Sequence, residues 1–254
     1  MKSLSYIVPV IEYKKDYLEK CLKSLTFEDD EQLVIVGPTN VLNDIKADFS
    51  DYEKYATYVD NNDVTDYCTQ VNIGVQNCNG DYFMIVEFDD ELTPTWVKNV
   101  EYYKDYNADV SLFLPLIEMV DDKDRETRAL ANELSWSTAF VSELGYIDTE
   151  CLENFYDFHI VGGVFKKTDF VRAGGLKPSL KIAATYELLL RFCHNGFKIY
   201  TIPKVGYWHT FGRDGSYMVE SRNAITQEEG EWLINTAKEE KLYHDDRNKV
   251  FVAE

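Results

Sequence analysis

Short runs rich in apolar and β-branched residues recur along the first half of the chain, each stopped by glycine, proline or polar residues. Runs of this kind are typical of buried β-strands. They predict strands at residues 4–10, 32–37, 53–59, 82–86 and 108–117.

Segments with helical spacing lie between these runs. The apolar residues of 14–25 are spaced i, i+3, i+4 and i+7, which predicts an amphipathic helix. Two more helices are predicted, over 63–78 with Asp63 as N-cap and over 94–107 with Thr93 as N-cap. This alternation predicts an α/β fold with a mostly parallel sheet and helices on both faces.

The second half of the sequence is less regular. Residues 118–134 are highly charged and predict a mobile connection, whereas residues 157–167 predict a strand that passes through a Gly pair. A helix is predicted over 185–196, followed by two strands on either side of Pro203. The capping-box pattern that starts at Thr226 predicts a C-terminal helix.

Charge and composition narrow the possible functions. The 254 residues include 45 Asp plus Glu against 26 Lys plus Arg, a net charge of −19. This excess argues against binding to nucleic acid or to an anionic membrane surface. No apolar run reaches the ~20 residues of a transmembrane helix. The five cysteines are scattered, which favours free thiols and a cytoplasmic location.

The strand at 82–86 runs directly into a cluster of acids. Glu87, Asp89, Asp90 and Glu91 follow it, before a Thr-Pro pair. Ligands of parallel α/β sheets bind beyond the C-terminal ends of the strands, where this cluster lies. Two interpretations stay open. The carboxylates hold a hard cation such as Mg²⁺ or Mn²⁺, or they form a solvated turn whose charge favours the next helix.

Four motifs, in order, resemble those of family 2 glycosyltransferases of the GT-A type. The segment YIVPVIEYKKDYLEKCLKSL is similar to the family's I-P-x-Y/F-N strand end and its Y-L-x-x-C/S-L-x-S-L helix. Residues 72–91 are similar to N-x-G…G-[ED]-Y-I-x-F-L-D-x-D-D. GGVFKKTDFVRAGGLKPSL is similar to G-G-x-F-R-R…G-G-F-x-x-S-L, and ATYELLLRFCHNGFKIYTIP to E-D-x-[DE]-L-x-x-R…G-[YF]-K-I-x-x-I-P. The resemblance covers about residues 4–209.

The resemblance implies a single Rossmann-like GT-A domain over residues 1–254. Residues 1–117 would form the nucleotide-sugar half, residues 118–216 a smaller mixed acceptor half, and residues 217–254 a helical extension. The implied activity moves a sugar from a nucleotide-diphosphate sugar to a carbohydrate or lipid-linked acceptor, with inversion. A UDP-sugar is the favoured donor, with GDP- and dTDP-sugars as alternatives.

The resemblance also implies a metal site. Glu87-Phe88-Asp89 occupies the position of the family's D-x-D, which binds Mn²⁺ or Mg²⁺ beside the donor. By position, Asp89 would ligate the cation, and Glu87 would face the ribose or the metal. His209 lies where some GT-A enzymes place a third ligand, and Asp90 is a further acid beside them.

The resemblance implies that five other residues, in the first two motifs, bind the nucleotide-sugar donor. Pro9, Val10 and Glu12 would line the base and ribose. Asn72 and Gly74 would approach the ribose and the diphosphate. These roles are carried over by position from the family's motifs.

One departure from the family leaves the base preference open. The family's second strand ends in V-D-D-G-S, whose first Asp contacts the nucleobase or ribose, but here residues 37–38 are Gly-Pro. Thr39 or Asn40 is the expected substitute. Arg213, in a Gly-flanked loop, could reach a diphosphate, and Trp136 is the expected acceptor-site aromatic residue.

A second departure removes the general base. The Asp of the family's Glu-Asp pair deprotonates the acceptor, but here the pair is Ala184-Thr185, and Thr is no base at neutral pH. Glu187 lies ~200° around the helix from Thr185. The candidates for a replacement are Asp148, Asp157, Glu187 and Asp214.

Two classes of function therefore remain open from the sequence. The first is an inverting glycosyltransferase. The second is a noncatalytic GT-A-like protein that binds a nucleotide or glycan. A sugar nucleotidyltransferase is disfavoured because the chain lacks the Gly-rich, Arg-containing N-terminal loop of that class. A dinucleotide-binding enzyme is also disfavoured, because no G-x-G-x-x-G follows the first strand.

Overall fold

The computed structural model of the protein describes residues 3–28, 31–213 and 223–239. The strands in this part of the chain are β1 Leu4–Pro9, β2 Gln32–Gly37, β3 Ala56–Asp60, β4 Tyr82–Ile85, β5 Glu91–Leu92, β6 Val110–Asp121, β7 Thr127–Ala131, β8 Tyr146–Ile147, β9 Val164–Lys166 and β10 Lys198–Phe211. The α-helices are α1 Lys15–Ser24, α2 Thr39–Asp48, α3 Tyr67–Gln76, α4 Trp96–Tyr106, α5 Thr149–Asn154, α6 Lys167–Ala173, α7 Ala184–His194 and α8 Gln227–Lys238.

These strands form one mixed sheet in the order β3-β2-β1-β4-β9-β6-β10-β5, with β7 beside β6 and β8 beside β10. β3, β2, β1 and β4 are parallel to one another. β9 is antiparallel to both β4 and β6, whereas β6 and β10 are parallel. The predicted parallel arrangement is confirmed for β1 to β4, and the sheet becomes mixed beyond them.

Alternation along the strands builds an apolar layer on each face of the sheet. In β4, Phe83 and Ile85 point into one buried cluster and Met84 points into the other. Helices α1, α2 and α4 cover the Met84 side, and α3 with α5 to α8 covers the Phe83 side. The expected α/β fold with helices on both faces is therefore confirmed.

The predicted start of α3 was wrong by a few residues. Asp63 has a left-handed φ of 60° and belongs to the preceding turn. The N-cap is Asp66, whose carboxylate accepts a hydrogen bond from the Thr69 N–H at 2.7 Å. Both positions offer an Asp before an apolar helix, so composition alone could not choose between them.

The predicted start of α4 was also early. The helix begins at Trp96, with Thr95 as its N-cap. The Thr93 hydroxyl instead donates to the Val205 carbonyl oxygen at 2.9 Å, which joins the end of β5 to β10.

The expected mobile connection at 118–134 is a β-hairpin. β6 continues to Asp121, and β7 pairs with it in antiparallel register. Arg125, with a φ of 59°, lies in the turn between the two strands. Most of the charged residues lie in the turn at 122–126, between the two strands, and so the whole segment was taken for a loop.

Two further differences concern β9 and β10. The predicted strand at 157–167 is reduced to Val164–Lys166, with the preceding residues in a loop. The two strands predicted around Pro203 are one strand, Lys198–Phe211. A register shift between Thr201 and Val205 absorbs the proline, which has no N–H for the ladder.

The C-terminal helix is confirmed in the described residues. Thr226 is its N-cap and accepts a hydrogen bond from the Glu229 N–H at 3.1 Å. All five cysteines fall within the described ranges, and all are free thiols. Among the described helices, none has the length and apolar character needed to cross a bilayer.

Candidate active site

A tight turn after β4 places the acidic cluster at the edge of the sheet. The Val86 N–H still donates to the Ile7 carbonyl oxygen at 2.9 Å, and the Asp90 N–H then donates to the Glu87 carbonyl oxygen at 3.1 Å. The chain next forms β5, where Glu91 lies opposite Trp208 of β10. The acidic residues that follow β4 therefore lie in the turn through which the chain reaches β10.

This pairing brings His209 of β10 against the acids. Its Nδ1 lies 2.8 Å from Asp90 Oδ2 and 3.6 Å from Glu87 Oε2. The other oxygen of Asp90 accepts a hydrogen bond from the Thr210 N–H at 2.7 Å. Asp90 is fully buried, and so it fixes the position of His209 relative to β4.

Glu87, Asp90 and His209 form a candidate cation site. One ligand atom from each lies within 4.8 Å of the others. Ligands of a Mg²⁺-sized cation lie at most ~4.2 Å apart. The distances of 2.8 and 3.6 Å from His209 Nδ1 to the two carboxylates fall within that limit. Two carboxylates and an imidazole suit a cation such as Mn²⁺. The described residues therefore fit the implied metal.

The acids and the histidine alter each other's pKa. Burial and the negative charge of Asp90 raise the pKa of Glu87 to about 8. The same two causes raise the pKa of Asp89, against the opposing effect of Arg213. Burial lowers the pKa of His209, but the charges of Asp90 and Glu87 outweigh it and raise that pKa to about 10. Without a cation, a protonated His209 partly neutralises the cluster.

Arg213 neutralises the other acid of the cluster. Its Nε donates to Asp89 Oδ2 and its Nη1 to Glu12 Oε1, both at 2.6 Å. The guanidinium also lies over the rings of Phe88 and Tyr17, 5.3 and 5.7 Å from their centroids. The structure therefore groups Asp90, rather than Asp89, with Glu87 and His209.

A cavity of about 850 Å³ opens beside Glu87 and His209. Residues from both halves of the chain line it, among them Tyr67 at the start of α3 and Thr185 at the start of α7. The loop at 156–161 and helix α8 form other parts of its wall. The cavity is large enough for a small organic ligand.

The candidate bases occupy different environments. Asp157 lines the cavity with its side chain 62% exposed, 3.7 Å from His159 Nε2. Glu187 is fully buried and bonded to Lys177 and Arg191 at 2.8–2.9 Å, so it is not placed to reach a substrate. Asp148 caps α5 by accepting from the Cys151 N–H. Asp214 lies outside the described residues.

Several expected donor-binding residues have structural contacts instead. Asn72 is buried and exchanges two hydrogen bonds with the Leu176 backbone, at 2.8 and 3.0 Å. A Cβ on Gly74 would lie 2.4 Å from the Ile7 side chain, so this glycine permits α3 to pack on β1. These contacts do not match the expected approach to a ribose or diphosphate.

The expected base-binding side chains differ in exposure. Pro9 and Val10 are buried, whereas Glu12 is partly exposed and pairs with Arg213. Thr39 donates its hydroxyl hydrogen to Asp60 at the end of β3. Of these residues expected to bind the sugar donor, Glu12 lies next to the acidic cluster that follows β4, because it pairs with Arg213, which also contacts Asp89.

Gly37 and Trp136 have packing roles in the structure. A Cβ at Gly37 would lie 2.7 Å from the Val10 carbonyl oxygen, so no larger residue fits where the family has an Asp. The indole N–H of Trp136 donates to the Thr201 carbonyl oxygen at 3.0 Å, and its ring packs edge-on against Tyr200. Trp136 does not line the described cavity beside Glu87.

The sequence did not predict the pairing of Asp90 with His209 or the position of Tyr67. Asp90 and His209 are 119 residues apart, and only the antiparallel pairing of β5 with β10 joins them. Tyr67 was considered only as part of a helix. No local pattern in the sequence signals either contact.

Comparison with known proteins agrees with this geometry. The chain matches the family described as Glycosyl transferase family 2 over residues 5–159, more than half of its length. No curated protein sequence matches the chain.

Two solved structures of similar fold contain a nucleotide-sugar. S. aureus TarS in complex with UDP-GlcNAc aligns with a TM-score of 0.68 and 14% identity, over 92% of this chain and 65% of that chain. Mannosyltransferase PcManGT from Pyrobaculum calidifontis, in complex with GDP-Man and Mn²⁺, aligns with a TM-score of 0.64 and 14% identity, over 87% and 60%. This chain thus spans less than two thirds of either structure. The fold is of the GT-A type, and the chain belongs to glycosyltransferase family 2.

Proposed function

We propose that this protein is a glycosyltransferase that moves a sugar from a nucleoside-diphosphate sugar to a hydroxyl group of an acceptor. One observation carries the proposal. Glu87, just after β4, and His209, on β10, lie together on the wall of a cavity that residues from both halves of the chain enclose. A donor held at the acids would present its sugar to an acceptor in the same cavity. UDP-sugars are the first donors to test, with GDP- and dTDP-sugars as alternatives.

Glu87, Asp90 and His209 would hold a Mn²⁺ or Mg²⁺ ion, which would neutralise the diphosphate of the donor and of the leaving group. Asp89 would join these residues as a ligand once Arg213 releases it. Arg213 would then be available to the diphosphate, where a guanidinium binds well. In this arrangement Arg213 compensates the acid cluster before the donor binds.

Asp157 is the proposed general base for inversion. Among the predicted base candidates that the structure describes, it is the carboxylate that lines the cavity. Its exposed side chain can reach a bound hydroxyl without breaking a buried hydrogen bond. It would take the acceptor's proton while the acceptor oxygen displaces the nucleoside diphosphate from the anomeric carbon.

The rest of the cavity wall suits a carbohydrate or lipid-linked acceptor. Tyr156, Phe158 and Tyr186 line it beside several aliphatic residues. Aromatic rings offer flat apolar surfaces to the C–H faces of sugars or to a lipid chain. The lining gives no preference between these two acceptor classes.

A binding and product experiment tests the proposal. Thermal unfolding is measured with UDP, GDP, dTDP and their common sugar conjugates, each with and without Mn²⁺. We expect at least one conjugate to raise the melting temperature in a metal-dependent way, because a ligand of the folded state stabilises it. Proton NMR of the product should then show an inverted anomeric configuration. A panel without a metal-dependent shift contradicts the donor site, and donor binding without turnover supports a noncatalytic binding protein.

A further inference from the structure

Tyr67, the first residue of α3, has a buried hydroxyl group with no hydrogen-bond partner among the described residues. Buried hydroxyl groups are nearly always bonded, because an unmet donor costs free energy. In the described part of the chain, three other buried side-chain atoms share this property: Tyr58 Oη, Gln70 Oε1 and Thr201 Oγ1. Of the four residues, Tyr67 is the one that lines the cavity.

Tyr67 and Glu87 both line the cavity, and Glu87 is the charged group that acts most strongly on the Tyr67 hydroxyl. Phe83 and Ile85 of β4 point to the face of the sheet that α3 covers. Glu87 follows shortly after the strand and lies on the wall of the cavity that Tyr67 also lines. Tyr67 packs against the same face. Burial and the charge of Glu87 raise the pKa of Tyr67 well above its ordinary value, so the phenol stays protonated.

Glu87 is held on its other sides. Its backbone N–H donates to the Tyr207 hydroxyl at 2.9 Å, which fixes the backbone at the end of β4. Its Oε2 lies 3.6 Å from His209 Nδ1. The position of the Glu87 carboxylate relative to Asp90 and His209 therefore sets the geometry of the candidate cation site.

We propose that Tyr67 is a positioning residue for the metal site: its hydroxyl donates a hydrogen bond to the Glu87 carboxylate and orients it toward the cation. The inference rests on the cation site of the proposed function. Hydrogen bonds to ligating carboxylates commonly set their orientation, and their loss typically costs about 10–100-fold in metal affinity. The bond also gives the unpartnered hydroxyl a role, since the bound ion keeps Glu87 charged and accepting.

The test is Mn²⁺ binding without nucleotide, measured by electron paramagnetic resonance of the free ion. Tyr67→Phe should weaken Mn²⁺ binding about tenfold or more, with an unchanged or raised melting temperature, because the change removes only an unpartnered hydroxyl. The matched control is Tyr58→Phe. Tyr58 lies on β3, packs on the opposite face of the sheet and has the same kind of unpartnered hydroxyl, so its loss should leave Mn²⁺ affinity unchanged.

A double-mutant cycle separates positioning from general damage. In a Glu87→Gln background, Tyr67→Phe should have little further effect on the residual Mn²⁺ affinity, because the group that it orients is gone. Equal Mn²⁺ affinity in Tyr67→Phe and wild type, or the same loss in both backgrounds, overturns the inference. If the wild-type protein turns over a nucleotide-sugar but binds no Mn²⁺, the positioning role fails while the transferase proposal stands. If Mn²⁺ binds as expected but no nucleotide-sugar does, the transferase proposal fails alone.

Discussion

The buried charges around Glu187 provide a direct test of how the structure uses this residue. Glu187 is a base candidate from the sequence, yet the structure places it in the core with no exposed surface. Its Oε1 accepts from Lys177 Nζ at 2.9 Å and from Arg191 Nε at 2.8 Å. Its Oε2 accepts from Arg191 Nη2 at 2.8 Å. Arg191 also donates to the carbonyl oxygens of Ala173 and Gly175, so these buried charges hold the end of α6 and the following loop against α7.

We predict that Glu187→Gln lowers the free energy of unfolding by ~3–5 kcal/mol. The substitution keeps the side-chain volume but leaves Lys177 and Arg191, 5% and 2% exposed, without the opposing charge. Loss of one partner of a buried ion pair typically costs this amount. For a chain of this size, each kcal/mol lowers the melting temperature by about 2–4 °C, so the expected fall is about 6–20 °C.

The assay is thermal and urea unfolding followed by circular dichroism, with Glu229→Gln as the control. Glu229 pairs with Lys181 at 2.8 Å, but their side chains are 40% and 55% exposed. An exposed pair contributes at most about 1 kcal/mol, so the control should unfold close to the wild type. If Glu187→Gln is no less stable than the control, the reasoning is refuted. A fall of about 100-fold or more in turnover by folded Glu187→Gln would instead assign Glu187 as the general base.

Three further predictions concern the site. Asp157→Asn should lower kcat by about 10²–10⁴ with the donor dissociation constant unchanged, and unchanged kcat in steady-state kinetics would remove Asp157 as the base. Mn²⁺ affinity, measured by titration from pH 6.5 to 8.5, should rise about tenfold per pH unit for each proton that the cation displaces. Glu87 and His209, with pKa values of about 8 and 10, must lose their protons to ligate. An affinity that does not change with pH would contradict this ligand set. Arg213→Gln should weaken nucleoside-diphosphate binding in calorimetry, because Arg213 is the described guanidinium bonded to Asp89, and unchanged affinity would confine Arg213 to a structural role.

The sequence predicted the elements whose partners are close along the chain. β1, α1, β2 and β4 were found because continuous apolar runs and i, i+3, i+4 spacing are local signals. The hairpin of β6 and β7 was missed because its polar residues face solvent, and its pairing depends on contacts that no local pattern encodes. Helix α2 was missed because Gly37-Pro38 was taken only as the end of a strand.

The site was predicted in part for the same reason. The acidic cluster after β4 and His209 were both expected to lie at the metal site, and the structure places Glu87 and His209 together. The sequence favoured Asp89 as the ligand, whereas Asp90 contacts His209. The direction of each carboxylate depends on the turn from Glu87 to Asp90 and on the ion pair of Asp89 with Arg213. Neither contact can be derived from residue spacing.

The most direct test of the central claim is the rate at which nucleoside diphosphate is released from a nucleotide-sugar. We predict release by the wild-type protein with Mn²⁺, its loss in EDTA, and its loss in Glu87→Ala at temperatures where that variant remains folded. Lys98→Ala, at an exposed position of α4, is the control and should keep the wild-type rate. Absence of release with every donor, or equal release by Glu87→Ala, would contradict the proposed transferase site.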